Sequence, residues 1–437
     1  MKNPGGIFTL FLIFTAFMGS RLVQIGFGDY NITPYRLACA IGLLLIPFNR
    51  KTIKSNKLIY SYYVFLIFWI LYSFFLLVIA TPDKKGFLEN LFFLLCGTIT
   101  TYYIAVYVRD WKMMKKCFLT IEIAAIVPYI FAFYEIFVGT YLFVSSSNQD
   151  YYSLESADLS SLGLRVPIST FSNPNDFSFM IIVVLVASFL LYKISKTKKK
   201  YLHLFVVWVS LFLILAAQSR AGVISVFIFW GVYMLNRFSI LSSSKKKLYL
   251  AMIPLLVGGI YWIYWVYQDI IEPLLLFGEH SDTIRENLIR SGWVYLKSSY
   301  YLGVGLGNIE YYVLNRPLFY TGEILNIHNW WMEILVSSGV IVFLWYVMLY
   351  LKLINRTYKG IKKVNGFEIK LLYISSFSYL IMFIIDSMSS SSLVRTECAW
   401  VIMAIMFLVP GFDIRINTQI DGEKRLMYPQ VNDKLSR

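Results

Sequence analysis

The sequence predicts an all-α polytopic membrane protein with about twelve transmembrane helices, and three observations carry that expectation. Hydrophobic residues make up 58% of the 437 and charged residues 15%, against roughly 45–50% and about 25% in soluble domains; the mean hydropathy is +0.62. Apolar stretches of about 20 residues, the length that crosses a bilayer core, recur along the chain. The connections between them alternate between rich and poor in Lys and Arg, as membrane orientation requires.

Taken in order, the first stretch, centred near residue 16, has one Lys ahead of it and no small-residue cleavage site after it, so it reads as a retained helix rather than a signal peptide. Stretches near 42 and 69 flank Arg50, Lys51, Lys54 and Lys57; those near 98 and 127 flank Arg109, Lys112, Lys115 and Lys116. Lys193, Lys196 and Lys198 to Lys200 separate the stretches near 185 and 210, and Arg237 with Lys245 to Lys247 those near 228 and 258. Lys352, Arg356, Lys359, Lys362 and Lys363 lie between 341 and 378, and the last stretch centres near 403. Every second connection is basic, which places both termini in the cytoplasm and leaves 81–86, 139–175, 218–220, 268–329 and 386–396 facing out. Residues 1–411 form one membrane domain without a fixed-period repeat, and 412–437 a polar cytoplasmic tail too poor in apolar residues to fold alone.

Two function classes are set aside by this pattern. The net charge of +15 sits mostly in the cytoplasmic connections, where it sets orientation and faces anionic membrane lipids, so no nucleic-acid partner is implied. Cys39, Cys96, Cys117 and Cys398 lie in or at the edge of apolar stretches with no C-x-x-C pair and no His at ligand spacing, which indicates neither a disulfide framework nor a zinc site.

Chemistry is expected in the two long outward loops, since connections beyond about 15 residues are usually functional or disordered. The larger, between the stretches near 258 and 341, carries Arg285, Arg290, GVGLGN at 303–308, and His328 beside Asn329. Arg285 and Arg290 are roughly 140° apart on a helix, so only one faces a central cavity. Arg285 is favoured, because Ser281 or Asp282 can cap that helix and aim its positive end at the same region; the alternative is a surface helix gripping headgroups. Arg220, in the QSRAG turn, is either a snorkelling anchor or a guanidinium turned into a water-filled cavity to hold a phosphate through two bonds. His328 opens the stretch near 341, with Glu333 about one and a half turns further in. Its imidazole either takes a proton from a sugar hydroxyl or sits as an interfacial residue beside Trp330 and Trp331. GVGLGN lacks the G-x-G-x-x-G spacing and reads as a turn. Arg165 and Asn173 to Asn175, in GLRVPISTFSNPNDF, are substrate contacts or loop structure, with Asn175 or Asp176 available to cap the next helix.

In this order QSRAG (218–222), SDTIRENLIRSGW (281–293), GVGLGN (303–308) and LNIHNWWMEILVSSG (325–339) resemble the O-antigen ligase and polymerase superfamily, and within it the wording is similar to the teichuronic acid biosynthesis polymerases of Gram-positive bacteria. The resemblance covers roughly 163–339. It implies a plasma-membrane glycosyltransferase, independent of metal and cofactor, that moves a glycan from an undecaprenyl-pyrophosphate-linked oligosaccharide to a growing polysaccharide acceptor on the outer face, in company with a flippase and chain-length partners. By motif, His328, Arg285 and Arg220 take the catalytic roles; Arg290, Asn329, Glu333, Arg165, Asn173 and Asn175 are candidate substrate contacts. A ligase acting on a different acceptor and a flippase for lipid-linked oligosaccharide are the alternatives. A flippase fits less well, because transporters show repeats and midplane charges, and here the notable charges gather at one face.

Overall fold

The structure, a computed structural model, describes residues 4–27, 30–48, 53, 56–143, 165–238, 283–322, 324–364, 366–390 and 392–412. The helices among them are α1 (Pro4–Ala16), α2 (Pro34–Leu45), α3 (Lys57–Ile79), α4 (Lys84–Tyr107), α5 (Trp111–Ala124), α6 (Ile126–Val138), α7 (Pro174–Ile194), α8 (Lys200–Ala216) and α9 (Arg220–Phe238), then α10 (283–298), α11 (Asn308–Asn315), α12 (Trp330–Lys363), α13 (Phe367–Asp386) and α14 (Glu397–Leu408).

Among the described residues, seven helical segments are long and apolar enough to cross a membrane, α5 and α6 running together as one, and four shorter apolar helices occupy the positions of four further expected spans. The stretch near 258, Ser281, Asp282 and the tail from 413 lie outside the described residues. The all-α class holds; the one addition to it among the described residues is a short two-stranded antiparallel hairpin, β1 (Ile25–Phe27) and β2 (Tyr30–Ile32), which joins α1 to α2 with Gly26 opposite Asn31.

Local sequence explains the helix ends. Thr33 caps α2 by accepting from the Arg36 amide, with Pro34 at the first helical position. The Asp83 carboxylate accepts from the Lys85 and Gly86 amides to start α4. α6 stops at Gly139, whose φ of 80° is the left-handed conformation that glycine adopts without strain. Tertiary packing sorts the helices into inner and outer. On α3, Leu58, Tyr62, Phe65 and Trp69 are buried while Leu71, Phe74, Phe75 and Val78 are exposed, the outward apolar face expected toward lipid. α7 is enclosed by protein instead, every side chain from Asp176 to Leu191 being buried, and it packs against α5, α8 and α13.

α12 is not the regular span its hydropathy suggests. It breaks at Gly339, where φ is 79° and ψ is 174°. The break is filled by the GVGLGN turn: the Val304 and Gly305 amides donate to the Val336 and Ser337 carbonyls at 2.9 Å, and the Val340 amide donates to the Tyr301 carbonyl at 3.0 Å. Glycine is required on both sides, since a Cβ on Gly339 would lie 2.1 Å from the Leu302 carbonyl oxygen and one on Gly303 would lie 2.6 Å from the Gly339 nitrogen. Asn308 ties the turn to the start of α4, accepting from the Asp83 amide and donating to its carbonyl. The motif therefore closes the backbone hydrogen bonds of a discontinuous helix, as membrane burial demands.

Candidate functional site

At one end of the bundle the connections α1–α2, α6–α7, α11–α12 and α13–α14 meet around a cavity of about 730 Å³. Its wall carries Arg21, Arg36 and Arg395, four carboxylates (Glu89, Asp176, Glu310, Glu397), His328, and the rings of Phe93 and Phe171.

Each charged group is placed by a local structural reason. Arg36, in the first turn of α2, lies with its guanidinium 4.4 Å from the centre of the Phe93 ring and its Nε 3.7 Å from Glu397 Oε1. The hydroxyl of Thr33, the same residue that caps α2, donates to that carboxylate at 2.7 Å. Arg395 crosses from the α13–α14 connection to α11, with Nη1 2.9 Å from Glu310 Oε1 and Nε donating to Asn90 Oδ1 at 3.4 Å. Burial acts to lower the Arg395 pKa, but Glu310 and Glu89 outweigh it and hold the guanidinium above its ordinary value. Asp176, buried in the first turn of α7, accepts from Asn173 Nδ2 at 2.7 Å and from the Ser390 hydroxyl at 2.5 Å, while its own amide donates to Asn173 Oδ1. Asn173, not Asn175 or Asp176, is the cap of α7.

His328 sits just before α12 with φ at 49°, a backbone conformation uncommon outside glycine. Its ring bonds to the Ser389 backbone, and Nδ1 is buried with no hydrogen-bond partner among the described residues. The Ser389 bond favours the protonated ring. Burial lowers the pKa of His328 below its usual value; Asp176 pulls it up and Arg285 pushes it further down. Arg285 thus lies within electrostatic reach of the imidazole, although it is not part of the cavity wall.

The other residues singled out in the sequence separate into two sets. His328 and Asn173 line the cavity, and Glu333 stands behind it, half-buried in α12, where it accepts from the Ser392 hydroxyl beside Arg395. Outside the wall, Arg290 Nη2 lies 2.6 Å from Glu286 on an exposed helix face, and Asn329 caps α12 by accepting from the Trp331 and Met332 amides. Arg165 lies against Gly139 at the C-terminal end of α6, and Asn175 accepts from the Ser219 hydroxyl, fastening α7 to the QSRAG turn. Arg220 opens α9, exposed and outside the cavity wall.

Sequence reasoning missed Arg21, Arg36, Arg395 and Glu397. The signal was present for Arg36 and Glu397, because an ionisable residue inside an apolar stretch is by default a functional candidate with a partner to be found. The 17–33 connection was not among the outward loops singled out, yet Arg21 and Gln24 reach the cavity from it.

Comparison with known proteins bears on this arrangement. Residues 205–347 match the O-antigen ligase family, a segment that takes in Arg220, Arg285, GVGLGN, His328 and the α12 break. Over 415 residues the chain is 26% identical to the teichuronic acid biosynthesis protein TuaE of Bacillus subtilis (strain 168), covering 90% of this chain and 82% of the relative. No solved structure matches. The resemblance read from the motifs stands on both matches: the chain carries a segment of O-antigen ligase type within a multi-pass membrane protein similar, over nine tenths of its length, to a teichuronic acid biosynthesis protein.

Proposed function

We propose that this protein is a cell-envelope polysaccharide polymerase that transfers a glycan from a polyprenyl-pyrophosphate donor to a sugar hydroxyl, on the outer face of a Gram-positive plasma membrane. The observation that carries the reading is His328: an imidazole in the cavity wall with a pKa held down by burial and Arg285. Such a group is neutral at physiological pH and is placed to accept a proton. The acceptor hydroxyl gives its proton to the His328 imidazole as its oxygen bonds to the anomeric carbon of the donor. The bond from that carbon to the pyrophosphate oxygen breaks, and the electron pair leaves with the lipid pyrophosphate. Arg285 and Arg220 stabilise the charge that develops there, a role guanidinium groups fill through paired hydrogen bonds without a divalent cation. The cavity holds the sugars, its carboxylates and arginines meeting hydroxyls while Phe93 and Phe171 offer apolar faces. The basic connections face the cytoplasm.

The test is reconstitution in liposomes with a polyprenyl-pyrophosphate-linked repeat unit, reading product length on a gel. A ladder made by wild type and lost in His328→Ala and Arg285→Ala is expected. A single addition to a foreign acceptor would make the protein a ligase, and donor movement between leaflets without extension would make it a flippase.

A further inference from the structure

At the opposite, basic end of the bundle, α5, α7, α8 and α13 leave a recess of about 390 Å³ lined by Lys115, Leu191, Ile194, Lys196, His203 and Glu368. The proposed reaction uses none of these residues. His203 is buried in the second turn of α8, with Nδ1 2.7 Å from Glu122 Oε2 and 3.0 Å from Oε1. A carboxylate only accepts, so Nδ1 carries the hydrogen and Nε2 is the ring nitrogen left for the recess. Glu368 is met by Lys115 at 3.4 Å and by the Trp111 indole N–H, which orients the Lys115 ammonium at the rim. Lys196 is exposed on the other side. Lysines that set orientation ordinarily reach into water; here two of them border a hollow with an apolar back formed by Leu191 and Ile194. Along α8 beside it, Leu202, Phe205 and Trp208 are more than 60% exposed, a surface that requires acyl chains.

We propose that this recess is a specific site for an anionic phospholipid whose headgroup carries free hydroxyls, such as phosphatidylglycerol. Lys115 and Lys196 meet the phosphate, His203 Nε2 hydrogen-bonds a headgroup hydroxyl, and the acyl chains run along the outer face of α8. The shared chemistry, a phosphate beside two ammonium groups, also admits free inorganic phosphate, and the experiment separates the two.

The protein is reconstituted in nanodiscs of phosphatidylcholine with or without phosphatidylglycerol, and lipids retained after transfer to detergent are counted by native mass spectrometry. Wild type and Lys198→Glu, a basic neighbour outside the recess, should retain phosphatidylglycerol in preference to phosphatidylcholine, whereas Lys196→Glu and Lys196→Ala should not. Equal thermal midpoints of the variants in pure phosphatidylcholine establish that they are folded. Equal loss in Lys196→Glu and Lys198→Glu would reduce the effect to diffuse surface charge and overturn the proposal. So would absence of retention by wild type, or release of the lipid by millimolar inorganic phosphate.

Discussion

Gly339→Ala tests whether the broken helix organises the outer half of the molecule. The native residue has φ 79° and ψ 174°, a region essentially closed to side-chain-bearing residues, and the new methyl would lie 2.1 Å from a backbone oxygen that has no rotamer by which to retreat. Regularising the helix relieves both problems but expels the GVGLGN turn and the three backbone hydrogen bonds that join it to α12. Strain of about 1–3 kcal/mol, or alternatively loss of three bonds at about 0.5–1.5 kcal/mol each, puts the cost at about 1–5 kcal/mol. That is a large share of the roughly 5–15 kcal/mol that holds a typical domain together. Gly231→Ala is the control: it lies inside α9 with nothing within 4 Å of an added methyl, and there alanine should be neutral or stabilising by up to about 1 kcal/mol. Thermal unfolding in detergent, followed by size-exclusion chromatography of a fluorescent fusion, compares the two. A Gly339→Ala protein that melts with Gly231→Ala and keeps full activity would refute the reasoning.

Transfer activity should fall on acidification through a pH below about 6.5, the ordinary histidine value, because the His328 pKa is lowered and only the neutral ring accepts a proton; the wild-type pH–rate profile checks it, and a rate that stays flat down to about pH 4.5 would count against the assignment. The same shift makes the unfolded chain the better proton binder, so the stability contribution of His328 should be intact above about 6.5 and decline below it, as read from thermal midpoints against pH. Arg285→Ala should abolish polymerisation while Arg290→Ala, which breaks only an exposed i,i+4 pair, should retain it and lose at most about 0.5 kcal/mol of stability. Asn329→Ala should cost about 1 kcal/mol by removing the cap of α12, and Asn329→Ser should restore the melting midpoint. Glu397→Ala, which takes the carboxylate from half-buried Arg36, should destabilise by about 1–3 kcal/mol, and Arg36→Met with Glu397→Leu should recover most of that without recovering activity.

The positions of the helices were legible because apolar length and alternating basic connections are local properties, written in runs of adjacent residues. Eleven of the expected stretches fall on described apolar helices, four of them too short to count as spans by length. The hairpin at 25–32 escaped notice because three-residue strands carry almost no periodic signal. At the site, His328 and Arg285 were reached through motif wording. Arg36 with Glu397, and Arg395 with Glu310, are pairings between distant segments that no window on the sequence contains. The roles of Asn329 and Asn175 turned on a single hydrogen bond geometry each, which placed one as a helix cap and the other as a fastening to the QSRAG turn. GVGLGN read correctly as a turn, but what it turns around, a break in α12, depends on a ψ angle at Gly339 that the hydropathy of VSSGVIV conceals.

The contact between Thr33 and Glu397 spans 364 residues, and that separation has a meaning in time. At roughly 5–20 residues per second of synthesis, α2 enters the membrane roughly 20–70 s before α14 can follow. During that interval Arg36 stands in a half-built bundle without the carboxylate it later faces at 3.7 Å. A chain stalled or truncated before α14 lacks Arg395, Thr396 and Glu397 together, so one wall of the cavity is the last part of the molecule to be completed.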